Sequence, residues 1–238
     1  HIEDGYSFDG KDVDINYDYE VVGRDANFGL MIFINGIPQM IKHEDKESLV
    51  YTFKGKKDTN KTEHVSIMPN TGSKGDHLYM HAFLIADYEI VDSLKQLTNK
   101  QHMMACGTTF IDIHQDTANN SIDLNNNYDL IDYTSDLLKH DDEEGYFDNN
   151  LLIQFPNNLE GNFKKNKPIT IKMSGISDNY ILWVLEDLKP VSSYHIELPK
   201  NKSAVLSYKP GNKTKNVKAI AIPLSSNLPE ESTSLVVK

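Results

Sequence analysis

Turn-forming residues interrupt this chain every few positions, and the stretches between them are short and rich in β-branched and aromatic residues. Runs of this kind fit β-strands, which are usually about 3–10 residues long, and their regular spacing suits antiparallel sheets packed face to face. In the first part of the chain they cover residues 19–22, 28–34, 49–54, 64–68, 78–85 and 108–113. In the last part they cover residues 151–155, 169–173, 180–185, 194–198, 204–208 and 217–222.

Local patterns refine this reading. Asn35-Gly36 tolerates positive φ and predicts a tight hairpin after 28–34, with Pro38 on an edge because it cannot donate to a ladder. Asp12, Asp14, Asn16 and Asp18 alternate with Val13, Ile15 and Tyr17, which predicts the polar face of an edge strand. Residues 78–85 alternate too, yet both faces are largely apolar, so this strand should be covered on both sides. Helical spacing competes over 88–105 and again over 129–139. The tail from Asn227 is polar and is expected to fray. These patterns describe an all-β protein of two β-sandwich domains, immunoglobulin-like or fibronectin-like. The domains are expected at 12–113 and 151–238, joined by an acidic connecting segment at 114–150 with one or two short helices. Trp183 is expected in the second core. With Cys106 the only cysteine, the Cys…Trp…Cys signature of antibody domains is missing and the likeness is one of architecture.

The formal charge of −11 is unevenly placed. Residues 1–111 carry 11 basic and 17 acidic side chains, residues 112–150 carry 1 and 11, and residues 151–238 carry 12 and 7. The acidity is central and the last part is basic, so salt-sensitive self-association or docking of the acidic segment on the basic domain is expected. Arg24 is the only arginine, which argues against nucleic acid as a partner. The longest apolar run, 30–34, is far short of the ~20 residues that span a bilayer, so no membrane span is expected. Opening on His1, the chain reads as a processed or excised segment. Its Lys/Asn/Asp/Thr/Tyr-rich texture resembles the surface proteins of low-GC Gram-positive bacteria, which implies an extracellular or cell-surface location.

Motifs that carry chemistry are sparse. Residues 123–129 supply oxygen ligands like the opening of a calcium loop, but the glycine and glutamate positions of an EF-hand hold Tyr128 and Thr134. A different Ca2+ site drawing on Asp112, Asp116, Asp123 or Asp129 is the one metal expectation. His77 and His81 lie about 13 Å apart if extended and so cannot share an ion. His102 and Cys106 have helical spacing but lack further ligands, and Cys106 reads better as a buried structural residue. Residues 69–76 resemble a phosphate loop only superficially. Leu228-Pro-Glu-Glu-Ser232 departs at two positions from a cell-wall sorting signal. No Gly-x-Ser-x-Gly elbow, Cys/His pairing or Ser-x-x-Lys arrangement stands in a persuasive setting, so the chain is not read as an enzyme. The expected function is adhesion-type binding of a host protein, a glycan or a surface component through sandwich loops or edges. The alternative is a carbohydrate-active enzyme or its carbohydrate-binding module, with Tyr79, Tyr88, Tyr128, Tyr133, Tyr146 and Trp183 as sugar platforms.

Overall fold

The computed structural model describes residue 2 and residues 5–100, 104–119, 122–133 and 151–238. His102, Tyr146 and the acidic run at 139–145 lie outside the described residues. The protein is all-β and divides into two compact units, residues 1–89, 98–123 and 226–228 in one and residues 90–97, 124–225 and 229–238 in the other.

The strands of the first unit are β1 (Tyr6–Phe8), β2 (Val13–Val21), β3 (Ala26–Ile34), β4 (Ile37–Pro38), β5 (Ile41–His43), β6 (Lys46–Ser48), β7 (Tyr51–Gly55), β8 (Thr59–Ile67), β9 (His77–Ala86) and β10 (Met104–Ile113). One sheet has the order β1-β10-β9-β3-β4, with β7 also on β3, and the other is β2-β8-β5-β6. β1 runs parallel to β10, whereas β9 runs antiparallel to both of its neighbours, β10 and β3. Because the chain crosses repeatedly between sheets, the order is that of an immunoglobulin-like sandwich. Strand alternation builds its core: β2 buries Val13, Ile15, Tyr17, Tyr19 and Val21 together with Leu30, Ile32 and Ile34 of β3 and Met80 and Ala82 of β9.

The edge-strand expectation holds. β2 pairs along its length with β8 and, among the described residues, meets only the Ile2–Tyr17 bridge on its other side. Asp14, Asp18 and Glu20 point outward, where charge opposes pairing with another exposed edge. The Asn35-Gly36 hairpin forms with φ of 48° and 76°, the two positive values that a type I′ turn requires. Residues 31, 33, 81, 83 and 85, on the second face of β3 and β9, are buried as well, so both faces of this pair are covered.

Helix α1 is shorter than its pattern suggested, spanning Leu94–Lys100. Ser93 caps it by accepting the Gln96 amide at 3.3 Å. From Met104 onward the chain is claimed by pairing with β9, which overrides the helical spacing.

The second unit holds β11 (Asp129–Asp132), β12 (Leu152–Gln154), β13 (Asn162–Phe163), β14 (Ile169–Ser174), β15 (Asp178–Glu186), β16 (Lys189–Leu198), β17 (Lys202–Tyr208), β18 (Asn216–Pro223), β19 (Glu230–Glu231) and β20 (Leu235–Val237). Its sheets are β13-β20-β18-β15-β16, with β19 on β18, and β11-β17-β14-β12. As in the first unit, a short early strand runs parallel to the last one, here β13 beside β20. Three expectations are corrected. Residues 129–132 form a strand where a helix was expected, because they pair with 202–205 of β17. The tail is structured: Leu235 and Val236 are each 1 % exposed, their β-branched and apolar side chains closing the sandwich. Trp183 is buried, but on the face of β15 opposite the core residues Leu182 and Val184.

Two predictions come from the first unit. A Cβ on Gly29 would lie 2.3 Å from the Tyr88 ring, so Gly29→Ala should destabilise by about 1–3 kcal/mol in denaturant melts. Adding Tyr88→Ala should recover part of that loss, whereas simple additivity would show that the two positions do not compete. His81 is fully buried, neither ring nitrogen has a hydrogen-bond partner among the described residues, and burial lowers its pKa to about 4. Its folded pKa lies below the ordinary unfolded value of about 6.5, so its contribution is intact above that pH. That contribution falls away between about pH 6.5 and 4, to a total of up to about 3 kcal/mol. Stability measured from pH 7.5 to 4 should show this loss, and His81→Phe should flatten the curve across that window.

Candidate binding site

The acidic residues expected to hold calcium are spread over different roles. Asp112 on β10 stands opposite His77 in the ladder, with its Oδ1 2.6 Å from His77 Nδ1. Asp116 accepts the Lys74 amide at 2.8 Å. Asp123 is exposed at the end of the first unit, and Asp129 belongs to β11 of the second. Among the described residues, no three His, Cys, Asp or Glu side chains form a group that could hold a metal ion. Cys106 sits on β10 and is exposed, correcting the buried expectation, because strand alternation turns it away from the core.

The loop at 69–76 is tied down by hydrogen bonds, most of them to residues 113–119. Its amides at Gly72, Ser73, Lys74 and Gly75 donate to Asn119 Oδ1, Asp76 Oδ2, Asp116 Oδ1 and the Ile113 carbonyl respectively. The donors that would cradle a phosphate are therefore taken by the chain's own oxygens, and the loop leads into β9 instead of a helix.

Aromatic side chains gather in the first unit, though not as a platform. His43, Tyr51, Phe53 and Phe28 stack in series with centroids 4.5, 5.4 and 5.5 Å apart. Glu63 accepts hydrogen bonds from Tyr51 at 2.7 Å and Tyr19 at 3.2 Å. Burial and this carboxylate raise the pKa of both phenols, that of Tyr19 to about 12. The rings spend their faces on one another, so the column works as packing. Tyr128 is likewise committed, its hydroxyl accepting the Glu197 amide at 3.1 Å.

A cavity of about 210 Å³ opens at a loop end of the second unit. Three short segments build it. Gly175, Ile176 and Ser177 form the turn from β14 to β15, Lys200, Asn201 and Lys202 come from the turn between β16 and β17, and Tyr133 arrives directly after β11. Each is fixed by a hydrogen bond. Tyr180, 1 % exposed, donates its hydroxyl to the Ile176 carbonyl at 2.9 Å. The Tyr133 amide donates to the Asn201 carbonyl at 3.0 Å, and the Lys202 amide to the Pro199 carbonyl at 3.2 Å. Lys202 pairs with Asp132 at 2.6 Å, and its hydrogen bond pulls the Asp132 carboxyl below the usual range. The walls thus combine an aromatic ring, an exposed lysine at 200, a hydroxyl at Ser177 and an amide at Asn201. Pockets for drug-sized ligands measure about 300–1,000 Å³. This space suits a single side chain or a single sugar unit. Ser174-Gly175 and Pro199-Lys200-Asn201 consist of turn-forming residues, but nothing in their spacing reveals that they converge or that Tyr133 joins them.

No family model matches the chain, and no curated protein matches it. Among solved structures it is similar to the periplasmic chaperone SfaE, at 10% identity and a TM-score of 0.25, over 98% of this chain and 95% of that one. It is also similar to BspA_C_WT at 10% identity and a TM-score of 0.23, over 98% and 95% of the two chains. A third similarity, to CBD12 from CALX1.2, has 8% identity and a TM-score of 0.21 over 96% and 79%. The strand order and registers define the fold.

Tyr180 is the support of the cavity whose removal is cleanest. Tyr180→Phe should cost about 1 kcal/mol of stability and shift the backbone amide resonances of residues 175–177. Unchanged resonances there would mean that the turn holds its shape without the phenol.

Proposed function

We propose that this chain is a secreted or surface-displayed binding protein of a low-GC Gram-positive type bacterium. It recognises a host protein, a glycan or another surface component through the loop end of its second unit. The observation that carries this reading is the cavity in which Tyr133, Ser177 and Lys200 meet. A sandwich scaffold holds its inter-strand turns rigidly, so side chains on those turns are preorganised for contact at little entropic cost. A tyrosine wall beside a lysine suits a partner that offers an apolar or sugar face next to an anionic group. The aromatic column of the first unit, with its rings stacked on one another, favours this loop-end site over a flat sugar platform there.

The test is a panel of glycans and purified extracellular proteins titrated into isotope-labelled protein. Amide shifts caused by a hit should centre on residues 133, 175–177 and 200–202. Replacing Tyr133 and Lys200 together with alanine should weaken that hit at least about tenfold, or 1.4 kcal/mol, with the melting temperature nearly unchanged. A hit that binds the double variant equally well, or that perturbs only residues along β2, would overturn the assignment.

A further inference from the structure

Lys218 is 2 % exposed, an unusual position for a lysine. On β18 the side chains of Val217, Ala219 and Ala221 enter the sandwich core, which puts Lys218 on the opposite face with the fully buried Ile220 and Ile222. Its Nζ lies 2.6 Å from Glu231 Oε2. The pairing of β19 with β18 sets this approach, since Ile220 stands opposite Glu231 and Ala221 opposite Glu230. The next residue, Ser232, locks the register: its amide donates to the Ala219 carbonyl, and its Oγ accepts the Ala219 amide, both at 2.8 Å.

A charged pair in such a place bears the desolvation cost of the ammonium, which only good geometry offsets. Burial lowers the pKa of Lys218 despite the pull of Glu231, and burial also raises the neighbouring Glu230 carboxyl. The direction at Lys218 favours the neutral amine, the form in which nitrogen is a nucleophile. Held at contact distance by strand pairing, the reacting groups gain the effective concentration, up to about 10⁵–10⁸ M, that well-oriented intramolecular reactions reach.

We propose that Lys218 and Glu231 condense to an intramolecular amide that joins β18 covalently to β19. A proton first passes from the Lys218 ammonium to the Glu231 carboxylate, giving amine and carboxylic acid. The Nζ lone pair then forms the N–C bond at the Glu231 carboxyl carbon. The C–OH bond breaks, and the hydroxyl departs as water, taking a proton from the nitrogen. One water is lost, no electrons change hands, and no co-reactant is needed. The product replaces two charges with one neutral amide and staples the hairpin that closes the sandwich.

Intact-mass measurement of the full chain, unfolded in denaturant, tests this directly. The expected mass is lower than the sequence mass by one water, with a proteolytic fragment in which the segments around 218 and 231 are joined. Lys218→Met should restore the full sequence mass. Glu231→Gln, which offers the same carbon with a different leaving group, should lose ammonia in place of water and end at the same product mass. A wild-type chain at full sequence mass, or a water loss mapped to another position, overturns the proposal.

Discussion

A β-sandwich must satisfy the backbone N–H and C=O groups along its strand edges, because an unpaired buried group costs as much as a lost hydrogen bond. In the second unit this requirement is met by residues 125–133, which precede the remaining strands of that unit in the chain. Asn125 exchanges hydrogen bonds with β16, its amide donating to the Ser193 carbonyl at 3.1 Å and its carbonyl accepting the His195 amide at 3.0 Å. Tyr128 then takes the Glu197 amide, β11 pairs with β17, and Tyr133 ends the run against Asn201. One ribbon therefore passes from the edge of one sheet to the edge of the other and delivers an aromatic ring to the cavity. Backbone pairing holds it, while charge contributes little, because Asp132 and Lys202 are both well exposed and solvent screens their attraction.

Carboxylates organise the loops of the same unit. Glu186 Oε1 accepts the Tyr208 hydroxyl and the Gly211 amide, each at 2.7 Å, and its Oε2 accepts the Thr214 hydroxyl. Asp187 Oδ1 accepts the amides of Lys215 and Asn216, both at 2.9 Å. The turn between β15 and β16 thereby ties down the loop that leads into β18. Asp187 and Leu188 adopt φ of 48° and 65°, a conformation that ordinarily disfavours residues other than glycine and asparagine. The hydrogen bonds to Asp187 and the burial of Leu188, 2 % exposed, are what hold this turn in place.

These details explain what could be read from the sequence. Strands with one wet face were legible, since β2 writes its burial as strict alternation and Asn35-Gly36 announces its hairpin. Residues 189–193 were missed as the start of β16, because Glu186-Asp187-Leu188-Lys189 contains no glycine, proline or asparagine to signal a turn. β11 was read as helix because Ile131, Leu137 and Leu138 suit a helical stripe, and only the partner edge of β17 decides otherwise. β20 escaped notice as three apolar residues in a polar tail, yet its pairing with β13 and β18 is what closes the sheet. The candidate site was least legible of all. Its three segments are separated by about forty residues or more at the widest, and their convergence depends on the ribbon at 125–133.

Residue-resolved hydrogen exchange on the intact chain measures the central claim, that this ribbon is an integral strand of the second sandwich. The amides of Asn125, Tyr133 and His195 should be protected well above random-coil rates, and those of Tyr133 and His195 should lose protection together when Asn125→Pro removes the first donor of the ribbon. Exchange of these amides at random-coil rates, while those of β14 and β18 stay protected, would contradict the account and leave the acidic segment a mere linker.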